Sequence, residues 1–223
     1  MGKLIGLVGI GQSPRPDGLV EEVSQVLGSG YEVVFAGAMD GLSRAEIEGM
    51  APAPGDYVLV TILSDGSSVR FAKKHILSRL QQRIDEMNER NVDAILLVCT
   101  GTFPRFASRR PLLFPRAIFP NLVKGIVQDG KLGVITPLPE QIDQERVKWD
   151  DVGLNLVMTH ADPYGDPALL ERACAELVRE QVDLVVLECF GHNLAMKERA
   201  RRLTGKPVVL VRSAMARVLA ELA

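Results

Sequence analysis

NVDAILLVCTGT, at residues 91–102, and QVDLVVLECFGH, at residues 181–192, are the two stretches of sequence that decide the fold. They share Val, Asp, Leu, Cys and Gly at a constant offset of 90 residues, which pairs Cys99 with Cys189. Each is a short, continuous apolar run, the pattern of a strand covered on both faces of a parallel sheet. Buried strands often resemble one another by chance, but the shared spacing of Asp, Cys and Gly indicates an internal duplication.

The rest of the chain alternates similar apolar runs with amphipathic stretches. The predicted strands are residues 4–10, 31–36, 57–63, 94–99, 132–136, 154–158, 184–189 and 208–211. Strands that alternate with helices predict an α/β fold with right-handed crossovers. The sequence therefore predicts two pseudo-symmetric, doubly wound parallel-sheet halves with a cleft between them. The first half comprises residues 1–112 plus 212–223 and carries Cys99, and the second comprises residues 113–211 and carries Cys189.

Several local signals refine this prediction. Residues 58–63 and 67–71 flank Asp65-Gly66, which indicates either a hairpin with a tight turn or a plain strand-to-helix loop. Asn193 and Ser213 are predicted to cap the starts of the last two helices. Leu170, Cys174, Leu177 and Val178 mark the apolar face of the helix before the seventh strand. A second internal similarity aligns residues 3–8 with residues 131–135, with Lys3 opposite Lys131.

Composition excludes several classes of protein. The 223 residues are 47% hydrophobic and 24% charged, with a formal net charge of −2, so no basic excess favours a nucleic-acid partner. No apolar run approaches the roughly 18 residues that a membrane span needs. The three cysteines, in a chain with no export signal, indicate reduced thiols and a cytoplasmic location.

The paired cysteines are the candidate catalytic residues. Ligands of parallel α/β sheets bind beyond the carboxyl ends of the strands, where Cys99 and Cys189 are predicted to lie, each two residues before a turn glycine, Gly101 and Gly191. A thiol on each side of a small ligand would remove a proton from one face of a carbon and return one to the other, without a cofactor. The alternative is that both are small buried apolar residues.

Other candidate residues follow predicted strands and would bind substrate. The turn after the first strand, with Gly11, Gln12 and Ser13, can cradle an anion with backbone N–H groups. It does not fit the dinucleotide pattern, because position 14 is Pro. Arg15 is a candidate carboxylate clamp. Further candidates after strands are Asp65, Ser67 and Thr136.

His192 is predicted to orient the Cys189 side chain or to act as its acid partner. The alternative is a partly exposed histidine that precedes a helix. A zinc site from the two cysteines and His192 is disfavoured because no close-spaced ligand pair is present. We therefore predict no metal and no cofactor.

Four segments carry a resemblance to a known family. They are residues 9–16 (GIGQSPRP), 99–102 (CTGT), 133–137 (GVITP) and 188–192 (ECFGH). With these in the same order, the chain resembles the AroM family, within the Asp/Glu/hydantoin racemase superfamily. The resemblance implies two similar α/β halves, with Cys99 and Cys189 as the two bases and Thr100 or Thr102 holding a substrate carboxylate. Gln12 stands where glutamate racemases carry a helper aspartate, and His192 lies three residues after Cys189 rather than two.

Three hypotheses for function follow. The first is a racemase or isomerase that acts on a small carboxylate by two-cysteine proton transfer. The second is a non-catalytic carboxylate-binding protein with the same fold, which the missing aspartate favours. The third is covalent catalysis by one cysteine. Each hypothesis predicts a small-molecule carboxylate as the partner, and neither nucleic acid nor a membrane. Each is compatible with a monomer or a homodimer.

Overall fold

The computed structural model describes residues 2–151 and 153–222. The chain divides into two compact units, Met1–Pro115 with Met215–Ala223 (unit 1) and Arg116–Ala214 (unit 2). No helix in the described ranges is long and apolar enough to cross a membrane.

Unit 1 is built on a parallel four-stranded sheet. Its elements in chain order are β1 (Lys3–Gly9), α1 (Leu19–Leu27), β2 (Tyr31–Gly37), α2 (Arg44–Glu48), β3 (Val58–Ile62), β4 (Ser68–Ala72), a 3-10 turn (Lys73–Ile76), α3 (Leu77–Glu89), β5 (Ala94–Val98) and β6 (Leu112–Leu113). The sheet order is β2-β1-β5-β6. The apolar stripe of α3, with Leu80, Ile84 and Met87, is fully buried against this sheet.

Unit 2 repeats the same arrangement. Its elements are α4 (Pro115–Val127), β7 (Lys131–Thr136), α5 (Gln141–Asp150), β8 (Asn155–His160), α6 (Ala168–Arg179), β9 (Leu184–Leu187), α7 (Leu194–Thr204) and β10 (Val208–Leu210). The sheet order is β10-β9-β7-β8, again all parallel. Helix α8 (Val211–Ala220) follows β10 and ends the chain's secondary structure. The predicted α/β fold with two parallel-sheet halves is confirmed.

The matched segments of sequence adopt the same local structure in the two units. Asp93 and Leu4 exchange two hydrogen bonds, through the backbone N–H of Asp93 and its carboxylate, at 2.7 and 2.8 Å. Asp183 does the same with Lys131, also at 2.7 and 2.8 Å. The residues two positions earlier, Asn91 and Gln181, both have a positive φ, 55° and 56°, which turns the chain out of the preceding helix. The repeat predicted from sequence is therefore also a repeat of hydrogen bonding.

The structure shifts the second internal similarity by one residue relative to the sequence alignment. Asp93 and Asp183 bind Leu4 and Lys131 respectively, so the structure matches Leu4, not Lys3, with Lys131. This register places Gly6 opposite Gly133. A Cβ on Gly6 would lie 3.1 Å from the Met87 side chain, and one on Gly133 would lie 2.9 Å from both Leu177 methyl groups. Each glycine thus lets the helix that precedes the cysteine strand pack closely on the sheet.

One predicted strand belongs to a different sheet. Residues 58–62 form β3, which pairs antiparallel with β4 and lies outside the parallel sheet. The hairpin is confirmed, but the tight two-residue turn is wrong. Gly66 donates to the Leu63 carbonyl at 3.0 Å and Leu63 donates to Ser67 at 2.8 Å, so three residues form the loop. Gly66 takes the left-handed conformation (φ 85°) that closes such a loop.

Of the two predicted helix caps, one is confirmed and one is wrong. Asn193 caps α7, and its side chain accepts from the N–H of Met196 at 2.9 Å. Ser213 does not cap α8, which begins two residues earlier at Val211, because the chain turns directly from β10 into the helix. In α6, Leu170, Cys174 and Leu177 are buried as predicted, whereas Val178 is 47% exposed.

The close approach at Gly133 provides a test of the packing. We expect Gly133→Ala to lower the free energy of unfolding by about 1–3 kcal/mol, because the new methyl overlaps two Leu177 methyl groups. Chemical denaturation measures the effect. Gly125→Ala in α4 is the matched control, since its Cβ meets nothing within 4 Å and Ala favours a helix. Equal destabilisation by both substitutions would contradict the proposed role of Gly133.

Candidate functional site

Sheet topology places both cysteines at equivalent points in their own units. In the first sheet, β2 is added on one side of β1 and β5 on the other, so the strand order reverses between β1 and β5. In the second sheet, β8 is added on one side of β7 and β9 on the other, so the order reverses between β7 and β9. Ligands of open α/β sheets bind at such switch points, beyond the carboxyl ends of the strands. Cys99 directly follows β5, and Cys189 lies two residues after β9. Each unit therefore carries a thiol at its own switch point.

The immediate surroundings of the two thiols also match. The backbone N–H of Gly101 lies 3.5 Å from the Cys99 Sγ, and that of Gly191 lies 3.3 Å from the Cys189 Sγ. Both side chains are half-buried and neither forms a disulfide. An N–H that donates to sulfur stabilises negative charge on it. The turn that follows each cysteine strand thus suits a thiolate.

The glycines of these turns differ in how tightly they are packed. A Cβ on Gly191 would lie 2.5 Å from the Tyr164 hydroxyl and 2.6 Å from the Pro163 ring. A Cβ on Gly101 would make only contacts of 3.3 Å and longer, to Leu59 and its neighbours. Only glycine fits at position 191 without displacing the neighbouring loop.

The loop after β1 is held by an aspartate that the sequence did not reveal. The Asp40 carboxylate accepts from the N–H of Ser13 at 2.6 Å, from the Ser13 hydroxyl at 2.7 Å and from the N–H of Gly37 at 2.7 Å. Gln12 accepts from the N–H and hydroxyl of Ser64 at 3.2 and 3.0 Å. Gly11 packs against Thr61, where a Cβ would lie 2.4 Å from the hydroxyl oxygen. The predicted loop exists, but its polar side chains bind the protein itself.

Arg15 already holds a carboxylate of this chain. Its guanidinium donates to both oxygens of Asp17, at 3.1 and 2.6 Å, and its side chain is 2% exposed. This is the bidentate geometry predicted for a ligand, but Asp17 occupies it.

Asp65 and Ser67 lie at the exposed tip of the β3–β4 hairpin. Asp65 accepts from the N–H and hydroxyl of Ser67, and these hydrogen bonds hold the pKa of Asp65 below its usual value. Strand β3 passes Gly101 at Leu59 and Gly11 at Thr61, so it runs from the Cys99 turn toward the β1 loop. The Asp65 and Ser67 side chains also contact Arg44, which lies 2.7 Å from the Ser67 hydroxyl and 3.7 Å from the Asp65 carboxylate.

The Cys99 turn instead meets two residues that the sequence analysis missed. Thr102 donates its N–H to the Tyr57 hydroxyl at 2.9 Å, and its carbonyl accepts from the Lys73 Nζ at 2.8 Å. The same ammonium lies 3.9 Å from the centroid of the Tyr57 ring. Thr102 is exposed and Thr100 is partly buried. Lys73 therefore places a positive charge beside the turn that follows Cys99.

In unit 2, Thr136 lies fully buried at the end of β7. Its hydroxyl is within hydrogen-bond distance of the Leu138 and Thr159 carbonyls, at 3.3 and 3.2 Å. Burial and these backbone acceptors give it a structural role in fixing the loop after β7.

His192 is buried, not partly exposed, with 1% of its surface accessible. Its Nε2 lies 3.1 Å from the Ala161 carbonyl, which only accepts, and the Cys189 backbone also interacts with the ring. Burial lowers the pKa of His192 to about 4. The ring is therefore neutral near pH 7 and is unsuited to be an acid partner of Cys189.

A buried charged cluster adjoins Cys189 on the other side. Lys148 Nζ lies 2.5 Å from the Glu145 carboxylate and is also paired with Glu188, which in turn accepts from the Trp149 indole N–H at 3.1 Å. Burial raises the pKa of Glu188. Burial acts to lower the pKa of Lys148, but the two carboxylates outweigh it and the pKa is raised. The cluster anchors the end of β9 to α5.

Arg212, at the start of α8, fixes the residue after Cys189. It is 1% exposed, and its Nε and Nη2 donate to the Phe190 carbonyl at 3.0 and 2.6 Å. Neither Arg212 nor the Lys148 cluster was identified from sequence. Glu145 and Lys148 form an ordinary i,i+3 pair of a helix, and their partner Glu188, like the Phe190 partner of Arg212, lies far away along the chain. In the described ranges, no group of three or more His, Cys, Asp or Glu residues is arranged to hold a metal ion.

The Lys148 cluster generates a stability prediction. We expect Lys148→Met to lower the free energy of unfolding by about 3–5 kcal/mol, because it leaves two carboxylates buried without their cation. Lys131→Met, which removes a partly exposed pair with Glu180, is the control and should cost about 1 kcal/mol or less. Equal costs in denaturant titrations would show that the buried cluster is not a stabilising network.

His192 generates a prediction for pH dependence. Its folded pKa of about 4 lies below the ordinary value of 6.5, so between these values the unfolded chain binds more protons than the folded one. Stability from this residue is therefore complete above pH 6.5 and is lost as the pH falls toward 4. Comparing wild type with His192→Gln by denaturation across this range isolates the effect, and parallel curves would contradict it.

Comparison with solved structures shows what this fold is similar to. The aspartate racemase of Picrophilus torridus matches with a TM-score of 0.63 at 13% identity, over 100% of this chain and 96% of that one. The allantoin racemase from Klebsiella pneumoniae matches with a TM-score of 0.64 at 15% identity, over 99% and 87%. The Nocardia farcinica maleate cis-trans isomerase gives 0.64 at 14% identity, over 98% and 91%.

At these identities the similarity establishes the fold, which the chain shares with racemases and isomerases. No curated protein matches the sequence. The family model described as AroM protein matches residues 5–223, nearly the whole chain. Because this match covers far more than half of the chain, the chain belongs to the AroM family.

Proposed function

We propose that this protein is a cofactor-independent racemase or isomerase that acts on a small carboxylate by proton transfer between Cys99 and Cys189. The observation that carries the proposal is the matched setting of the two thiols. Each follows the strand at the switch point of its sheet, and each lies within 3.5 Å of the N–H of the glycine two residues on. Two-base exchange at carbon requires two such groups, one for each face of the carbon.

The surroundings of the thiols support this chemistry. A thiolate removes the proton, so the base must be held in an environment that favours negative charge. The glycine N–H groups do this at both cysteines, and the Lys73 ammonium adds a positive charge at the Cys99 turn. On this proposal, the exposed Thr102 and the neighbouring Thr100 hold the substrate carboxylate, and the Lys73 charge attracts it.

A non-catalytic carboxylate-binding protein is the second candidate. The observation that favours it is that the side chains predicted to bind a ligand carboxylate already bind other groups of the protein. Arg15 is bound to Asp17, Ser13 to Asp40, and Thr136 to backbone carbonyls. A ligand carboxylate is therefore left mainly to the turn after Cys99, which suits binding without the full set of groups that orient a substrate for turnover.

Proton exchange in deuterated water distinguishes the two candidates. Aspartate and glutamate are incubated with the protein, and incorporation of deuterium at the α carbon is followed by NMR. We expect exchange with at least one carboxylate, and a loss of about 100-fold or more in both Cys99→Ser and Cys189→Ser, because each thiol performs an acid–base step. Loss in only one variant would favour covalent catalysis by that cysteine.

Cys174→Ala is the matched control for the thiol variants. Cys174 is fully buried in α6, and burial raises the pKa of its thiol to about 11, so it is neither reachable nor ionised near neutral pH. We expect this variant to retain wild-type turnover. If carboxylates bind by calorimetry but none exchanges a proton, the second candidate replaces the first.

A further inference from the structure

Each thiol turn is contacted by a tyrosine that lies outside the repeated segments of sequence. A Cβ on Gly101 would lie 3.4 Å from the Tyr57 hydroxyl oxygen. A Cβ on Gly191 would lie 2.5 Å from the Tyr164 hydroxyl oxygen. These two glycines are the residues whose N–H groups donate to the cysteine sulfurs. A phenol hydroxyl is therefore placed beside each of the two N–H···S hydrogen bonds.

The two tyrosines belong to the same connection in the two units. Tyr57 lies between β2 and α3, and Tyr164 lies between β8 and α6. In each unit this connection leads from the strand next to the first strand to the helix that precedes the cysteine strand. The first connection contains α2 and the β3–β4 hairpin, whereas the second is the short loop of residues 161–167. Two connections of very different length thus bring the same chemical group to the same turn.

In unit 1, hydrogen bonds join the tyrosine to the thiol turn. The Tyr57 hydroxyl accepts from the N–H of Thr102 at 2.9 Å, and the Tyr57 backbone carbonyl accepts from the N–H of Lys73 at 3.0 Å. The Lys73 ammonium in turn donates to the Thr102 carbonyl at 2.8 Å and lies 3.9 Å from the centroid of the phenol ring. Because Thr102 is held by both its N–H and its carbonyl, the orientation of the neighbouring Gly101 is restricted as well.

In unit 2, the tyrosine is held by its own loop and packs on the turn. The N–H of Tyr164 donates to the Asp162 carboxylate at 2.9 Å, which fixes a local turn. Pro163, within this turn, also lies against Gly191, where a Cβ would be 2.6 Å from the proline ring. The phenol oxygen occupies the space in which a side chain at position 191 would begin. This close packing restricts the direction of the Gly191 N–H, which donates to the Cys189 sulfur at 3.3 Å.

We propose that Tyr57 and Tyr164 are positioning residues, one for each thiol turn, whose hydroxyls keep the N–H of the turn glycine directed at the cysteine sulfur. The proposal rests on the proton transfer proposed above and adds to it the group that prepares each thiol. A hydrogen bond donated to sulfur stabilises the thiolate, and the thiolate is the form that removes a proton. A turn without its tyrosine hydroxyl samples other orientations and loses part of this stabilisation.

The pH profile of thiol alkylation tests the proposal. Wild type, Tyr57→Phe and Tyr164→Phe are treated with iodoacetamide from about pH 6 to about pH 10, a range that spans the ordinary ionisation of a thiol. The rate at each cysteine is read from its own peptide by mass spectrometry. We expect Tyr57→Phe to move the midpoint for Cys99 up by about 0.7 pH unit, the equivalent of one ordinary hydrogen bond, and to leave Cys189 unchanged. Tyr164→Phe should move the midpoint for Cys189 and leave Cys99 unchanged.

The midpoint distinguishes a positioning role from a merely structural one. A change in access to a thiol scales its rate by one factor at every pH and leaves the midpoint where it is. An unmoved midpoint at the cysteine of the altered turn would therefore overturn the proposal, as would equal shifts at both cysteines in one variant.

The chain provides two matched controls. Tyr31 is the third tyrosine, and its hydroxyl donates to the Ala220 carbonyl at 3.3 Å, at the amino end of β2 and away from the thiol turns. We expect Tyr31→Phe to leave both midpoints unchanged. Cys174 is fully buried in α6, so its alkylation reports unfolding within the same sample.

A second pair of variants covers a failure to fold. Asp162→Ala removes the acceptor that fixes the backbone of Tyr164, and Lys73→Gln removes the ammonium that joins Tyr57 to Thr102. Measured in about 1 M salt, which screens the lost charges, each should raise the midpoint at the cysteine of its own unit. Unmoved midpoints in these variants would likewise overturn the proposal.

Alkylation requires no substrate and no turnover, so its result stands apart from that of the proton-exchange experiment. Moved midpoints without proton exchange would support the tyrosine pair and reject only the proposed reaction. Proton exchange with unmoved midpoints would reject only the tyrosine pair.

Discussion

The structure depends on one repeated interaction, the aspartate that joins the cysteine strand to the first strand of its unit. Asp93 pairs with Leu4 and Asp183 with Lys131, each through its N–H and its carboxylate. This fixes the register of β5 on β1 and of β9 on β7. Because the register is fixed at the amino ends, the position at which each strand stops is fixed too. The thiols therefore reach the carboxyl edge of their sheets at matched points.

Close helix packing depends on the same pair of strands. Gly6 and Gly133 lie two residues beyond the joined positions on β1 and β7, and their missing side chains admit Met87 and Leu177. The helix before each cysteine strand is thus seated directly over the first strand. A residue larger than glycine at either position would lower stability, because the interior is close-packed and even one added methyl group must displace its neighbours.

The two thiol turns resemble each other in backbone but differ in what supports them. The Cys189 turn is anchored by buried charges, with Glu188 held by Lys148 on one side and the Phe190 carbonyl held by Arg212 on the other. The Cys99 turn is held from outside, by the Tyr57 hydroxyl and the Lys73 ammonium. One turn is therefore rigidly embedded and the other lies near solvent. This difference gives the two cysteines distinct electrostatic surroundings within a shared geometry.

The sequence by itself determined the elements that have a local period or a repeated spacing. The apolar runs predicted the strands, the 90-residue offset predicted two like halves with Cys99 and Cys189 in equivalent positions, and Asn193 predicted the start of α7. The apolar runs and the helix cap each lie within about a dozen residues, the range over which hydrophobic period and capping act, and the repeat is visible because each of its two copies is itself such a short stretch.

Only the tertiary structure decided which polar side chains remain for a ligand. Arg15, Ser13 and Thr136 read as binding residues in sequence, yet Asp17, Asp40 and the Thr159 carbonyl engage them. The burial of His192 and the Glu145–Lys148–Glu188 cluster were equally hidden, since the groups that meet come from separate strands and helices. Burial and charge pairing depend on contacts between distant segments, and neither composition nor spacing records which segments meet.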